Sequence, residues 1–570
     1  MKVSADSVAA MVAKVLKQRG VKRVFALCGG HIMPLWMRLD AEGIAIIDVR
    51  DERAAVHMAQ AHAELTGDLG VALVTAGPGV TNAITGIANA NVSRAPVLIL
   101  SGASPRPQEN RGGLQDMDQS QLLRPITRYA RTIREPSLAL AELDEAIACA
   151  LGESDLPGPA FIDFPVDTLR APVPEPLRMA EHMAAKPRAR TRPDPDRVAA
   201  AVDLLWRAKR VLVISGRGAR RAGPELATFL DRLGAVYLDT GESRGVIPDE
   251  HPAAVSAMRG AAMGDADVVL TVGRKLDFQL GFGSPAVFGA AQFVRISDAA
   301  AEVRDNRRGA VEIVADVAAT LDAMIAAAGN RAPAIDPHWA GKLREGHQAR
   351  AAKLRQSMAS APAGADGRLH PNRVLAALQK AIGRDAVVIN DGGDFLAFGR
   401  VGLSADAMLD PGPFGCIGVG VPYGIAASLE YPDKPVLVAT GDGAFGFNAI
   451  EIDTAVRHKA PVLIVVANNG AWQIEVHDQQ ETHGKVVGTR LQHSDHAMMA
   501  RAFGMHAERV EREEDLAPAL VRALANRPAL LDVVVTSDAV SSDGKSGLAW
   551  VPDLQPLAAW DAAERAWRQG

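Results

Sequence analysis

Short, continuous apolar runs alternate along the chain with longer, alanine-rich amphipathic stretches. Such runs are typical of buried strands in parallel sheets that helices cover on both faces. The pattern therefore predicts an α/β protein built from doubly wound parallel sheets. The candidate strands are Val24–Leu27, Ile44–Asp48, Val71–Val74, Val97–Leu100, Phe161–Phe164, Val211–Ser215, Val268–Val272, Phe293–Ile296, Glu312–Val314, Val387–Asn390, Val436–Ala439, Val462–Ala467 and Leu530–Val535.

Two stretches between these blocks have the composition of linkers. Residues 171–196 are rich in proline and charge, and residues 357–367 are rich in alanine, glycine and serine. A chain of 570 residues is also too long for one hydrophobic core. We therefore predict three α/β domains, at residues 1–180, 190–345 and 365–570.

The first and the last predicted domains share an internal similarity. Val71–Gly102 reads VALVTAGPGVTNAITGIANANVSRAPVLILSG, and Val436–Asn469 reads VLVATGDGAFGFNAIEIDTAVRHKAPVLIVVANN. Both run from a strand through Gly-x-Gly into a helix with Asn-Ala-Ile, then through Ala-Pro-Val-Leu-Ile into a second strand. Two related sheets on either side of a different middle domain follow from this similarity.

Charge and cysteine usage exclude several classes of protein. The net charge is −5 with both signs interspersed, which argues against nucleic acid or an anionic membrane as the main partner. Short basic clusters such as Arg217–Arg221 are interpreted as solvated helix ends. Cys28, Cys149 and Cys416 lie far apart in the sequence and have no metal-ligand spacing, so neither a disulfide scaffold nor a zinc site is indicated. With no secretory signal and no apolar run of about 20 residues, we expect a cytoplasmic protein.

The glycine turn of the second copy has the features of a phosphate and metal site. The strand ends at Gly441-Asp442-Gly443 and a helix begins shortly after, so backbone N–H groups and the positive helix end can meet a phosphate. Asp442 can bind a cation that bridges two phosphates. Asn468-Asn469 ends the next strand at the same carboxyl edge of the sheet. Carboxylate, amide and carbonyl oxygens are the ligands that Mg²⁺ prefers.

The segment GDGAFGFNAIEIDTAVRHKAPVLIVVANN resembles the thiamine-diphosphate-binding motif of the acetolactate synthase and benzaldehyde lyase family, and the likeness covers essentially the whole chain. It implies the thiamine diphosphate-binding fold, with a pyrimidine-binding (PYR) domain, a middle domain and a diphosphate-binding (PP) domain in that order. The implied Mg²⁺ ligands are the side chains of Asp442 and Asn469 and the carbonyl of Ala471. The implied diphosphate contacts are the turn at Gly441 and the N–H groups of Gly443 and Ala444.

The same resemblance assigns residues around the aminopyrimidine ring of the cofactor. Glu52, in IIDVRDERAAVHMA, stands at the place of the glutamate that activates the cofactor by driving tautomerisation of its 4′-amino group. Ile417 stands where the family has the bulky residue that bends the cofactor, although a plain core role stays open. Gly393 is placed for a backbone contact, and Gly77 and Asn82 would lie near the same interface. In the family the PYR and PP domains of different subunits form each site, which implies a homodimer at minimum, and we expect a homotetramer.

Two loop residues resemble substrate-contacting residues of benzaldehyde lyase. They are His31, in LCGGHIMPLW, and Gln115, in RGGLQDMDQSQLLRPIT. The likeness implies that both move protons on the hydroxyl group of the substrate. Pro411 stands where that enzyme has a second active-site histidine, which puts benzaldehyde itself in doubt as a substrate. Gly29-Gly30 in the first loop resembles acetolactate synthase instead.

Three further regions carry open expectations. Glycine-rich turns occur in Ile214–Gly223 and Thr271–Gly283 of the middle domain, where relatives bind FAD, ADP or nothing, and the incomplete dinucleotide fingerprint leaves all three open. The polar segment Gln473–Arg490 predicts a mobile loop near the mouth of the site or a plain surface loop. The tail from Ala539, with Trp550, Trp560 and Trp567, predicts a lid or a subunit clasp.

These observations predict an enzyme that uses thiamine diphosphate and Mg²⁺ to make or break a carbon–carbon bond next to a carbonyl of a small-molecule substrate. The resemblance to benzaldehyde lyase favours 2-hydroxy ketones and aldehydes. Decarboxylation of a 2-keto acid followed by ligation, as in acetolactate synthase, stays open, as does 2-hydroxyacyl-CoA lyase chemistry. An inactive, nucleotide-binding regulatory relative is the non-enzyme alternative. We favour the enzyme because the family's glutamate and metal ligands are present.

Overall fold

The computed structural model describes residues 4–153, 155–174 and 189–541, together with positions 566 and 569. Three parallel sheets follow one another along the chain. The strands are β1 (Arg23–Ala26), β2 (Ala45–Asp48), β3 (Gly70–Val74), β4 (Val97–Ala103), β5 (Tyr129–Thr132), β6 (Ala160–Pro165), β7 (Val211–Ser215), β8 (Val236–Leu238), β9 (Val268–Val272), β10 (Gln292–Ser297), β11 (Val311–Val314), β12 (Val387–Asp391), β13 (Ala407–Leu409), β14 (Val436–Gly441), β15 (Val462–Asn468), β16 (His506–Val510) and β17 (Ala529–Val534).

Helices connect the strands and cover the faces of the sheets. They are α1 (Val8–Gln18), α2 (Met33–Ala41), α3 (Glu52–Thr66), α4 (Pro78–Val92), α5 (Gln119–Leu123), α6 (Ala139–Leu151), α7 (Val166–Arg170), α8 (Pro195–Arg207), α9 (Gly223–Leu233), α10 (Arg259–Asp265), α11 (Pro285–Phe288), α12 (Ala300–Val303), α13 (Val317–Ala328), α14 (Pro337–Ala359), α15 (Pro371–Ile382), α16 (Asp394–Gly402), α17 (Gly420–Glu430), α18 (Asp442–Asn448), α19 (Ile452–Arg457), α20 (Gln473–His483), α21 (His496–Ala502) and α22 (Glu513–Ala525). In the described parts of the chain, no helix is both long and apolar enough to cross a membrane.

The first and third sheets have the same connectivity. Their strand orders are β2-β1-β3-β4-β6-β5 and β13-β12-β14-β15-β17-β16, which are identical once each is numbered from its own first strand. The two similar sequence segments occupy equivalent positions, as β3–α4–β4 and β14–α18–α19–β15. The middle sheet has five strands in the order β11-β10-β9-β7-β8. The predicted α/β architecture of three parallel sheets is therefore confirmed.

The apolar runs form the inner strands and the edge strands β2 and β11, and the sequence missed four strands that all lie at sheet edges. Every position of β3, β7, β9 and β15 is buried, as two-sided packing in a parallel sheet requires. The missed strands are β5, β8, β13 and β16. Strand β8 has only three residues, and β5 and β16 mix polar with apolar positions because one edge contacts no further strand.

The first and third domains contact each other within one chain. Helices α3, α4 and α17 share one hydrophobic core, which includes Met58, Ile87 and Ile425. Beside it, the buried carboxylate of Glu451 accepts hydrogen bonds from the backbone N–H groups of Arg50 and Asp51, each at 3.0 Å. A side chain of the third domain thus fixes the backbone at the start of α3.

Two interpretations of polar segments are wrong in part. Arg217 and Arg220 are not solvated, because they pair with Glu242 and with Glu64. The predicted loop Gln473–Arg490 begins with an 11-residue helix, α20, and only its last part lacks regular structure. The expected docking of Trp550, Trp560 and Trp567 lies outside the described residues, as does part of the first predicted linker.

Candidate active site

Asp442 lies at the glycine turn that ends β14. Gly441 precedes α18, and Asp442 is its first residue, with 6% of its surface exposed. The Oδ2 atom of Asp442 accepts a hydrogen bond from the N–H of Gly470 at 3.1 Å. Burial raises the pKa of Asp442 to about 6, and hydrogen bonds from backbone N–H groups oppose this shift. Because these partners are backbone groups rather than cationic side chains, a bound cation would stabilise the ionised carboxylate.

The neighbouring strand end brings the other predicted metal ligands to the same turn. Asn468 is fully buried, and its amide donates to the backbone of Ser494 and to Asp532, so it has a structural role. Asn469, the next residue, is partly exposed, and its Oδ1 accepts from the N–H of Ala471 at 3.1 Å. The hydrogen bond from Gly470 to Asp442 therefore places all three predicted ligands at one edge.

The chemistry of this donor set fits Mg²⁺ and a diphosphate. One carboxylate, one amide oxygen and one carbonyl oxygen are hard ligands, but they are too few for six-fold coordination. Within the described residues there is no group of three or more His, Cys, Asp or Glu side chains that could hold a metal. The cofactor's phosphate oxygens would complete the coordination.

Close packing surrounds the predicted diphosphate contacts. A Cβ on Gly443 would lie 2.7 Å from the ring of Trp472, so no larger residue fits at this position. Ala444 is buried one residue further along α18. Gly393 precedes α16, and a Cβ there would lie 3.0 Å from Ile474 of α20. Helix α20 therefore contacts the carboxyl edge of the third sheet, where the cofactor is predicted to bind.

Ile417 is half-buried in the loop before α17 rather than fully buried as a plain core residue would be. The sequence missed the residue that holds this loop. Asp391, the last residue of β12, accepts hydrogen bonds from the N–H groups of Gly392, Gly418 and Gly420. Burial raises the pKa of Asp391 to about 6, against the effect of these three N–H groups.

Glu52 begins α3 in the first domain and is 6% exposed. The amide of Asn82, on α4, donates to Oε2 of Glu52 at 3.1 Å. A Cβ on Gly79 would lie 3.2 Å from Oε1, so glycine there leaves room for the carboxylate. The structure thus brings Glu52 and Asn82 together as the sequence predicts.

Gly77 and Gln115 lie together at the end of β3. Both have positive φ, +61° and +60°, and a Cβ on Gly77 would lie 2.9 Å from Cβ of Gln115. His31, in the short 3₁₀ turn Gly30–Ile32 after β1, packs against the end of the neighbouring strand β4, where a Cβ on Gly102 would be 2.5 Å from Cβ of His31. The Nδ1 atom of His31 is buried and has no hydrogen-bond partner among the described residues.

The side chain of Gln119 links the backbone at Gly77 to the backbone at Gly102, and sequence reasoning missed this residue. Its Oε1 accepts from the N–H of Gly77 at 2.7 Å, while its Nε2 donates to the carbonyl of Gly102 and to Asp163. Gln119 is buried, and burial raises the pKa of Asp163 to about 6. Its position four residues after Gln115, at the start of α5, was the one signal in the sequence.

The predicted residues therefore form two half-sites. The PYR half-site contains His31, Glu52, Gly77, Asn82 and Gln115, and the PP half-site contains Gly393, Ile417, Gly441, Asp442, Gly443, Ala444, Asn469 and Ala471. Among the described residues, no hydrogen bond or ion pair joins a member of one half-site to a member of the other.

Sheet order, glycine turn and buried carboxylates together define a thiamine-dependent enzyme, and comparison with family models agrees. The N-terminal TPP binding domain of thiamine pyrophosphate enzymes matches residues 6–122, the central domain matches 198–324, and the C-terminal TPP binding domain matches 400–533. The chain belongs to the thiamine pyrophosphate enzyme family.

Its relatives include two kinds of enzyme within that family. The chain is 34% identical over 552 residues to the acetolactate synthase large subunit of Mycobacterium tuberculosis, covering 95% of this chain and 97% of the relative. It is 31% identical over 553 residues to 2-hydroxyacyl-CoA lyase 2 of Homo sapiens, covering 88% and 85%. The predicted family, the thiamine cofactor and the enzymatic nature of the protein are confirmed.

Proposed function

We propose that this enzyme uses Mg²⁺ with thiamine diphosphate to make or cleave a carbon–carbon bond next to a carbonyl, on 2-hydroxy ketones and aldehydes. The placement of Glu52 carries the proposal. Its carboxylate is shielded at a helix start and oriented by Asn82, on the edge that also holds His31 and Gln115. A shielded carboxylate in a fixed position suits proton transfer.

Each group of residues has a role in this proposal. When bound, the cofactor would supply a carbon nucleophile for the carbonyl group of a substrate. Glu52 holds a proton at the ring nitrogen of the aminopyrimidine, and Asn82 keeps the carboxylate in place. His31 and Gln115 donate to or accept from the substrate's hydroxyl group. Asp442, with the other two predicted oxygen ligands, holds Mg²⁺ against the diphosphate.

Decarboxylation of a 2-keto acid followed by ligation is the second candidate, because the relative from Mycobacterium tuberculosis, an acetolactate synthase, is 34% identical over nearly the whole chain. Cleavage of a 2-hydroxyacyl-CoA is the third, because relatives named 2-hydroxyacyl-CoA lyase 2 reach 32% identity. Purified protein with thiamine diphosphate and Mg²⁺ should be offered 2-keto acids, aldehydes, acyloins and acyl-CoA substrates. Mass spectrometry of the products and measurement of CO₂ release separate the three reactions.

The Glu52→Gln variant tests the central role. We expect it to lose nearly all carbon–carbon bond activity while it keeps its fold. Glu64→Gln is the matched control, because it makes the same charge change on the same helix, where Glu64 pairs with Arg220 rather than facing the predicted cofactor edge. Full activity in Glu52→Gln would contradict the proposal.

We also propose that the PYR half-site of one subunit completes the PP half-site of its partner. This arrangement needs at least a homodimer, and we propose that the complete assembly is a homotetramer. Mixed oligomers of Glu52→Gln and Asp442→Asn test this arrangement. If each site draws on two chains, a mixed dimer has one site with both changes and one intact site. Random mixing should then restore about a quarter of the wild-type sites, since a two-fold dimer has two equivalent sites. No restoration would show that each site is built from one chain.

A further inference from the structure

One buried carboxylate joins the two loops of the PP half-site. Asp391 is 1% exposed, and its Oδ1 accepts from the N–H of Gly392 at 2.7 Å and of Gly418 at 3.0 Å. Its Oδ2 accepts from Gly418 at 3.1 Å and from Gly420 at 2.8 Å. Three backbone donors from two separate loops thus converge on one side chain.

Two of these donors, Gly392 and Gly418, are immediate neighbours of the residues predicted to hold the aminopyrimidine. Gly392 precedes Gly393, and Gly418 follows Ile417. Both donor glycines have positive φ, +102° and +91°, which other residues rarely adopt. The hydrogen bonds to Asp391 therefore set a backbone conformation on each side of the predicted ring site.

A second contact links the same loop to the metal turn. The amide of Asn448, at the end of α18, donates to the carbonyl of Gly418 at 2.6 Å. Since α18 begins at Asp442, the loop that carries Ile417 is held both by Asp391 and by the helix of the predicted metal ligand. The loop therefore has a fixed position relative to both parts of the half-site.

We propose that Asp391 is a positioning residue that fixes the separation of the Gly393 backbone and the Ile417 side chain, so that the aminopyrimidine of thiamine diphosphate is held in its reactive orientation. This inference rests on the proposed function. Asparagine cannot replace the carboxylate. In either orientation of the side-chain amide, its NH₂ group would face backbone N–H groups, and two donors cannot hydrogen-bond to each other. Such a change would shift Ile417 relative to Gly393.

The test follows activation of the bound cofactor rather than turnover. Wild type, Asp391→Asn, Ile417→Ala and the double variant are saturated with thiamine diphosphate and Mg²⁺. Exchange of the cofactor's C2 proton for deuterium is then followed by NMR after an acid quench. We expect exchange to fall at least about tenfold in Asp391→Asn, since small displacements of catalytic groups cost up to about a hundredfold. Thiamine diphosphate affinity should stay within about fivefold, because the diphosphate and metal contacts remain; a purely structural role would lower both.

The double variant distinguishes positioning from an independent effect. If Asp391 acts through Ile417, the double variant should exchange no more than about threefold more slowly than the slower single variant, because coupled residues are not additive. Multiplicative effects, or exchange in Asp391→Asn within about twofold of wild type, would overturn the inference.

Controls keep the test independent of folding and of the proposed function. Asp267→Asn is the matched control, because Asp267 likewise accepts hydrogen bonds from backbone N–H groups, those of Lys209 and Arg210, but in the middle domain. We expect its C2 proton exchange to equal that of wild type. If Asp391→Asn fails to fold, Gly420→Ala replaces it, since a Cβ there would lie 2.8 Å from Oδ2 of Asp391. Normal exchange in Gly420→Ala would overturn the inference. Absence of cofactor binding in wild type would instead refute the proposed function.

Discussion

Removing the carboxylate of Glu451 should release the start of α3 from the third domain. This fully buried side chain accepts the N–H groups of Arg50 and Asp51 and the hydroxyl of Thr454. Arg50 and Asp51 immediately precede Glu52, so the contact fixes the backbone from which the predicted catalytic glutamate extends. In Glu451→Ala the two N–H groups lose their acceptor.

The hydrogen-bond inventory gives the size of the effect. Each buried donor left without a partner costs about 1–3 kcal/mol, so two N–H groups cost about 2–6 kcal/mol in local stability. Glu451→Gln should cost at most about 1 kcal/mol, because both backbone bonds of 3.0 Å go to Oε1, which an amide oxygen reproduces. The new NH₂ group can donate to Thr454.

Hydrogen–deuterium exchange of the peptide that contains the amides of Arg50 and Asp51 measures this release directly. We expect faster exchange in Glu451→Ala and nearly unchanged exchange in Glu451→Gln. Asp453→Ala is the control, because its carboxylate pairs with the half-exposed Arg50 side chain at the same interface, and exposed pairs contribute about 0–1 kcal/mol. Wild-type protection in Glu451→Ala would refute the role given to this carboxylate.

Four further predictions concern Glu451 and three other positions. Burial raises the pKa of Glu451 to about 7 from 4.5. The protonated side chain therefore adds at most about 3 kcal/mol to the free energy of unfolding, in full below about pH 4.5 and no longer above about pH 7. The thermal midpoint of wild type should fall over this range, whereas that of Glu451→Gln should lack this pH dependence. Gly77→Ala should cost about 1–3 kcal/mol because of the φ of +61° and the clash with a neighbouring side chain, measured by urea denaturation. Asp442→Asn, or chelation of Mg²⁺, should lower thiamine diphosphate affinity at least about tenfold in equilibrium dialysis, because metal ligands orient the phosphates; unchanged affinity would contradict the metal site. Arg295→Met should lower the free energy of unfolding by about 3–5 kcal/mol, since it leaves the buried carboxylate of Asp305 without its cation. A thermal midpoint equal to that of wild type would contradict this prediction.

The inner strands could be predicted because two-sided burial demands a continuous apolar run. The seven buried positions of β15 are such a run, and the sequence predicts all but its last residue. Four of the six edge strands could not be predicted in this way, because a strand with one free edge tolerates polar residues, as in the pattern of β16. Three-residue strands such as β8 are too short to carry any period.

The residues of the candidate site also differ in how far the sequence alone could predict them. Asp442 and Asn469 were predictable because a glycine turn and a strand end bring them together within one local unit. Gln119, Asp391 and Glu451 were not, because each has backbone N–H or carbonyl partners between 17 and 401 residues away in sequence, which leave no pattern in the chain. Hydrogen bonds of this kind become visible only when the fold is known.

The matching strand orders of the two outer sheets have an evolutionary consequence. One ancestral strand–helix–strand unit, duplicated and separated by an inserted domain, accounts for both turns. The turn reads Gly-Pro-Gly at residues 77–79 and Gly-Asp-Gly at residues 441–443. The difference between Pro78 and Asp442 at the centre of the turn would then be one of the changes by which two similar copies came to contact different parts of one cofactor.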